Sequence, residues 1–316
     1  MNILYIAYSC SPDHGSEDRI GWKIPANSIL LNNVFVITKQ EHKSSVENYL
    51  SSHPELQKIQ FYYVDIPAIY KKVFRGFAYS GRLNIWQRNA LKLAEIICAE
   101  EQIDIIHQIT PVEFRSIGDY GKIPGVKFVC GPVGGGEYIP DGLWYYASAF
   151  RLQEAVRKLL NEISLRKLKR SGILERCDQL LAANRETGEE IGRIFSCIQS
   201  QVPHFTEIGI DRSEIVGKQE RSTEKKECHF LIAGRLIYRK GHAFALEAFR
   251  ILPKDLPWKC TIVGMGPETV RLKKQIIQYG LDEHVHMLGK IPFSHMRQIY
   301  SDADVLIMPS LRETTG

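Results

Sequence analysis

Short apolar runs, separated by polar and helix-forming stretches, recur along most of this chain. Six fall in the first two hundred residues: ILYIAY (3–8), VFVIT (34–38), IQFYYVDI (59–66), IDIIHQI (103–109), VKFVCGPV (126–133) and QLLAA (179–183). Four more come later: HFLIAG (229–234), CTIVG (260–264), VHMLG (285–289) and DVLIMPS (304–310). Each has the length and the β-branched or aromatic content of a buried strand. Strands alternating with helices predict right-handed parallel crossovers, hence doubly wound α/β sheets. Between the two sets the pattern lapses. The stretch TEIGIDRSEIVGKQERSTEKKE (206–227) is charged and without apolar periodicity, so it reads as a linker. The expected organisation is one Rossmann-like domain at 1–205 and a second at 228–316.

The loops at the strand ends carry the chemistry. The run HFLIAG leads into Arg235, and Lys240-Gly241 stands just before a helix-forming stretch. CTIVG leads into Gly264-Met265-Gly266-Pro267-Glu268, and DVLIMPS into Leu311-Arg312-Glu313-Thr314-Thr315-Gly316. In an open parallel sheet, ligands sit outside the carboxyl ends of the strands. Helix N-termini there offer unpaired N–H groups and a positive dipole end. A guanidinium (Arg235) and an ammonium (Lys240) at one such turn supply two charge-assisted donors for a diphosphate. Glu313 cannot serve phosphates; it suits hydroxyl groups. Cations for a diphosphate with an acid for hydroxyls describe a nucleotide-sugar site.

The segments GRLIYRKG (234–241), IVGMGPE (262–268), VHMLGKIPFSHM (285–296) and YSDADVLIMPSLRETTG (300–316) resemble, in order and spacing, the C-terminal domain of retaining glycosyltransferases of family four. That family has the GT-B fold, two Rossmann-like domains facing across a cleft. The resemblance implies a UDP- or GDP-linked sugar as donor, with Arg235 and Lys240 on its diphosphate and Glu313 on the transferred sugar. Gly264, Gly266, Thr314 and Gly316 complete the donor-binding set. Thr315 departs from the Phe usual in the family. No cofactor and no metal is implied, because the two cations take the metal's place. Asp302-Ala303-Asp304 matches a metal-binding pair in letters only, since it lies between a helix and a strand.

Two glycine clusters mark the first domain. Gly15-Ser16-Glu17, followed by Gly21-Trp22, comes after the first strand, and resembles one branch of the family, whose glycine-rich loop here faces the donor. Gly15 and Ser16 are therefore candidate donor contacts. The second cluster is Gly131-Pro132-Val133-Gly134-Gly135-Gly136-Glu137, whose consecutive glycines permit close backbone approach to a sugar. Gly134, Gly135, Gly136 and Glu137 are assigned to the acceptor side, Glu137 also as a catalytic candidate. A carboxylate stabilised at a helix N-terminus is an equally good account of Glu137. His107, in a mostly apolar strand, reads as a core histidine.

Composition and charge narrow the class. Hydrophobic residues make up 44% and charged residues 24%, values of a globular protein. Seven scattered cysteines without CxxC spacing argue for reduced thiols in a cytoplasm and against structural zinc. The leader MNILYIAYS reads as a strand, and no apolar run reaches the ~18 residues of a membrane span. The net charge of +5 is concentrated. Residues 66–94 hold six Lys or Arg, no acid, and Tyr70, Phe74, Phe77, Tyr79 and Trp86. Residues 151–170 hold seven Lys or Arg against two Glu, with Leu152, Val156, Leu159, Leu160 and Ile163 on one helical face. Such segments suit an anionic membrane surface, so a peripheral location at the inner face of the plasma membrane is expected. A core-packed helix with a solvated basic face suits 151–170 equally well. No nucleic-acid motif accompanies the charge.

The resemblance implies transfer of a sugar, with retention, to a saccharide or lipid-linked saccharide acceptor in cell-surface polysaccharide synthesis. A nucleotide-sugar epimerase, or a non-catalytic chain that binds nucleotide or membrane, stays open. The run VLIM (305–308) is of the kind buried on both faces of a parallel sheet. A covering helix is expected after it. The chain stops at Gly316, so the second domain is expected to be C-terminally truncated, with an exposed apolar patch, weak donor affinity and little or no activity.

Overall fold

The computed structural model describes residues 1–15, 17–67, 79–195, 227–253 and 255–314. The expected boundary at 205 and nearly all of the linker lie outside them, as do Ser16, Thr315 and Gly316. All ten expected strands form, and they pair in parallel throughout. The first sheet contains β1 (Asn2–Ala7), β2 (Asn33–Lys39), β3 (Gln60–Val64), β4 (Ile105–Thr110), β5 (Lys127–Val133) and β6 (Gln179–Ala182). Their order is β3-β2-β1-β4-β5-β6, the doubly wound arrangement with its reversal between β1 and β4. Helices α1 (Glu17–Ser28), α2 (Lys43–Ser51), α3 (Tyr79–Glu101), α4 (Arg151–Ser171) and α5 (Arg185–Gly192) lie between these strands or after them.

The strands read as continuous apolar runs because both faces are covered. Along β1, Leu4 and Ile6 enter one buried cluster, while Ile3, Tyr5 and Ala7 enter another. On β4, Ile106 belongs to the first cluster and Ile109 to the second. Trp86 of α3 is fully buried in the first, edge-on to Tyr8 with ring centroids 5.1 Å apart. It is a core residue, which corrects its assignment to a membrane-facing aromatic set. Tyr70, Phe74, Phe77 and the side chain of Tyr79 lie outside the described residues.

The second sheet contains β7 (Cys228–Ala233), β8 (Trp258–Val263), β9 (Val285–Gly289) and β10 (Val305–Leu306), in the order β10-β7-β8-β9. Helices α6 (His242–Arg250), α7 (Thr269–Gln278) and α8 (Phe293–Asp302) connect them. Phe230 and Ile232 face one cluster, and Leu231 and Ala233 the other. The run 304–310 does not become a strand buried on both faces. Only Val305 and Leu306 pair with β7, and Val305, Leu306 and Met308 are exposed. Among the described residues β10 stands at the edge of this sheet, with β7 as its neighbour.

The described residues fall into two compact units. One takes residues 1–136 and 158–195, with the six-stranded sheet; the other takes Glu137–Arg157 and residues 227–314, with the four-stranded sheet. The division is therefore not contiguous in sequence. Six cysteines are described and all are free thiols. No helix among the described residues is long and apolar enough to cross a membrane.

Candidate functional site

In the second unit the strand order reverses at β7. Its successors β8 and β9 lie on one side and β10 on the other, so the loops after β7 and β10 border a topological switch point. These loops hold Arg235, Lys240 and Glu313, together with Arg239 and Ser310, which the sequence did not single out. Lys240 Nζ donates to Glu313 Oε2, and Arg239 stands 3.9 Å from the other carboxylate oxygen. Ser310 Oγ donates to Glu313 Oε2 at 3.1 Å. The Leu311 N–H donates to the Arg239 carbonyl at 2.8 Å, so backbone joins the two loops as well. Arg235 is exposed, and no ion pair to it is found among the described residues. Thr314 is half-buried in the same loop.

The local sequence explains this geometry. Gly241 ends the turn after β7 at φ +69°, and a Cβ there would lie 1.8 Å from the Pro309 carbonyl oxygen. A side chain would force the two loops apart. Gly264, at φ +141°, would place a Cβ 1.8 Å from the Gly234 carbonyl oxygen. Only glycine lets the loops after β7 and β8 touch. Gly266 is held in the same way beneath Leu236, whose carbonyl accepts from the Glu268 N–H at 3.0 Å. The N-termini of α6 and α7 thus follow the cation-bearing loop and the Gly264–Gly266 turn. This arrangement suits an anion.

A network not anticipated from the sequence supports the Glu313 loop. Glu154 of α4 is buried, accepts from Tyr238 Oη, and accepts from Arg312 Nη2 at 3.0 Å and Nε at 3.2 Å. Arg157, one turn on, stands 3.9 Å from Glu154 and 3.6 Å from the Glu137 carboxylate. Arg157 also donates to the Glu137 carbonyl at 2.7 Å. Burial and the neighbouring Arg312 guanidinium pull Arg157 below the usual arginine range, while the two glutamates oppose them. Glu137 is therefore placed in a buried ion network, 5% exposed, rather than open to solvent.

The other acceptor-side residues belong to the first unit. The Gly134 carbonyl accepts from Phe114 N–H at 3.0 Å, the Gly135 carbonyl from Asn161 at 3.1 Å, and the Gly136 N–H donates to Thr187 Oγ1 at 3.1 Å. Here the glycine cluster is stitched to α4 and α5. In the loop after β1, a Cβ on Gly15 would meet nothing within 4 Å. Glu17 accepts from the Val112 N–H, and Trp22 is buried against Tyr49 and Phe61. Asp304 of the discounted Asp-Ala-Asp triplet accepts from His229 N–H at 2.9 Å, a structural tie at the start of β7.

His242, first residue of α6, is 3% exposed, and neither ring nitrogen has a hydrogen-bond partner among the described residues. Burial, then the Lys240 charge, lowers its pKa from 6.5 to about 4. In β4, His107 Nε2 donates to the Gly131 carbonyl at 2.8 Å, and burial likewise lowers its pKa to about 4. Both rings are neutral when folded and take up protons more readily when unfolded. Their stabilising contribution is complete above pH 6.5 and is lost as pH falls from 6.5 towards 4. The expected slope is about 1.4 kcal/mol per pH unit for each histidine. Urea midpoints measured between these pH values should show it, and His107→Gln should flatten its share. Midpoints that do not move over this range would contradict the assignment.

Residues 214–316 match the family model described as glycosyl transferases group 1. A Salmonella typhimurium protein named for colanic acid biosynthesis, the glycosyltransferase WcaL, is 36% identical over 83 residues. That stretch is 26% of this chain and 20% of the relative's own length. The amylovoran biosynthesis glycosyltransferase AmsK of Erwinia amylovora is 30% identical over 114 residues, 36% of this chain and 28% of that protein. Among solved structures, a glycosyltransferase from Rickettsia africae superposes with a TM-score of 0.61 at 17% identity, over 98% of this chain and 73% of that one. The α/β class expected, two parallel-sheet units of the GT-B kind, is the one found. The match to glycosyl transferases group 1 spans residues 214–316, less than half of the chain, and over that stretch the chain is similar to the family.

Proposed function

We propose that this protein transfers a sugar from a UDP- or GDP-linked donor to a hydroxyl of a saccharide or lipid-linked saccharide, with retention, in the synthesis of a cell-surface polysaccharide. The observation that carries the reading is the meeting of Lys240, Arg239 and Glu313 at the switch point of the second sheet, with exposed Arg235 alongside. Support for the donor class comes from a structural neighbour, the Anabaena protein HepE in complex with UDP, with a TM-score of 0.58. The names of WcaL and AmsK support the polysaccharide context.

In this reading Arg235 and Lys240 bind the diphosphate, and the pair with Glu313 keeps the ammonium facing the site until donor arrives. Glu313 then accepts from sugar hydroxyls, and Gly264, Gly266 and Thr314 bring backbone and hydroxyl donors. The bond from the anomeric carbon to the diphosphate oxygen breaks as the acceptor oxygen bonds to the same face. The acceptor's proton passes to the departing phosphate. Catalysis is electrostatic stabilisation of the leaving group. On the acceptor side the reading places the loop Gly134–Glu137, with Glu137 acting through Arg157. Gly15 and Ser16 are kept as donor contacts on the family resemblance alone. The reaction is placed in the cytoplasm, at a membrane surface.

A thermal-shift screen of UDP- and GDP-sugars tests this. A ligand that binds the folded state at about one hundred times its Kd adds about 2.7 kcal/mol of stability. One nucleotide class should raise the melting temperature, and Lys240→Ala should abolish the rise. No shift with any nucleotide-sugar would contradict the proposal.

A further inference from the structure

Helix α4 carries its apolar stripe on the outside. Leu152, Val156, Leu159, Leu160 and Ile163 share one helical face, and all are exposed, from 47% at Val156 and Leu160 to 79% at Leu152. The packed face is formed instead by Glu154, Asn161, Leu165 and Leu168, all buried. Around the outward stripe stand Arg151, Lys158, Arg166, Lys167, Lys169 and Arg170, each exposed. The helix has two carboxylates, and both are engaged: Glu154 with Arg312 and Tyr238, Glu162 with Arg193. The outward surface is therefore aliphatic at its centre and cationic at its margins.

That combination selects its occupant. A contiguous apolar stripe facing water marks an interaction surface. A helix with this face sinks its aliphatic side chains to the boundary of headgroups and acyl chains, while flanking Lys and Arg reach to the headgroups. Anionic lipid adds an attraction for every cation near the surface. A second copy of the chain would set the same cations against one another across a two-fold axis. We propose that the outward face of α4 docks on an anionic lipid surface. This names the membrane contact that the transferase reading leaves open, and its test uses no turnover, so either can fail alone.

The test is co-sedimentation of the protein with phosphatidylcholine vesicles, with and without phosphatidylglycerol, at low and high salt. The wild type should pellet with the anionic vesicles and be released by salt. Arg166→Gln/Lys167→Gln/Arg170→Gln should weaken that binding about 100-fold. Leu159→Gln/Ile163→Gln should weaken it about 10-fold or more, through lost apolar burial. All five side chains are exposed, so melting temperatures should stay at the wild-type value, and the two variants probe separate chemistry. Equal recovery with neutral and anionic vesicles, or wild-type pelleting by both variants, would overturn the proposal. So would a concentration-dependent dimer that Leu159→Gln/Ile163→Gln dissolves, because the stripe would then be covered by a second copy.

Discussion

Lys240→Ala is expected to lower turnover on the order of 10²-fold or more, and Arg235→Ala to do the same. In the proposed reading each removes a charged donor whose attraction grows as negative charge develops on the departing diphosphate, so the loss falls on the chemical step. Neither variant should unfold. Arg235 is exposed, and the Lys240 side chain is 25% exposed on a loop, so little core is lost. Lys240→Ala also frees Glu313 from its ion pair, which Ser310 and Arg239 then hold. Steady-state kinetics with the donor that gives the largest thermal shift check this. Folded variants of both kinds with near-normal turnover would contradict the proposed roles of Arg235 and Lys240.

The largest stability effect is expected from Glu154→Ala. Its carboxylate is 3% exposed and is shared by Tyr238, Arg312 and Arg157. Removing it leaves the half-buried guanidinium groups of Arg312 and Arg157 without that carboxylate, while Glu137 and Tyr138 stay beside Arg157. Breaking a buried ion network from one side costs about 3–5 kcal/mol. Glu154→Gln keeps the volume and a hydrogen-bond acceptor for Arg312, so its cost should be smaller. Guanidinium unfolding followed by tryptophan fluorescence reports on this unit through Trp144 and Trp258. A loss below ~1 kcal/mol for Glu154→Ala would mean that the network is no stronger than an exposed ion pair.

The strands were legible because a parallel sheet covered on both faces needs unbroken apolar runs, and such runs stand out in a single sequence. The edge was not. DVLIMPS has the apolar content of its neighbours, and nothing in its periodicity shows that only Val305 and Leu306 would pair. Lys240 and Glu313 could be marked because each follows a strand, and strand ends are where ligands bind in this class of sheet. That they touch required the order β10-β7-β8-β9, which is a three-dimensional fact. Glu154 and Arg312 are 158 positions apart, and a single buried ion pair leaves no repeating pattern. Their contact could not be read in advance. Helix α4 shows the same limit from another side. Spacing put five aliphatic residues on one face, but only packing decides whether that face or its opposite is covered. Trp86 was misplaced for a similar reason: basic neighbours suggested a surface, yet its own face of α3 is core.

Whether the loops after β7 and β10 bind a nucleoside diphosphate through Lys240 and Arg235 is tested most directly by isothermal titration. UDP and GDP are each titrated into the wild type, Lys240→Ala and Arg235→Ala. Saturable binding of one of the two nucleotides at one site per chain is expected. Each variant should lose about 10-fold or more of that affinity, the worth of one charge-assisted hydrogen bond. Absence of binding by either nucleotide, or equal affinities in all three proteins, would contradict this assignment.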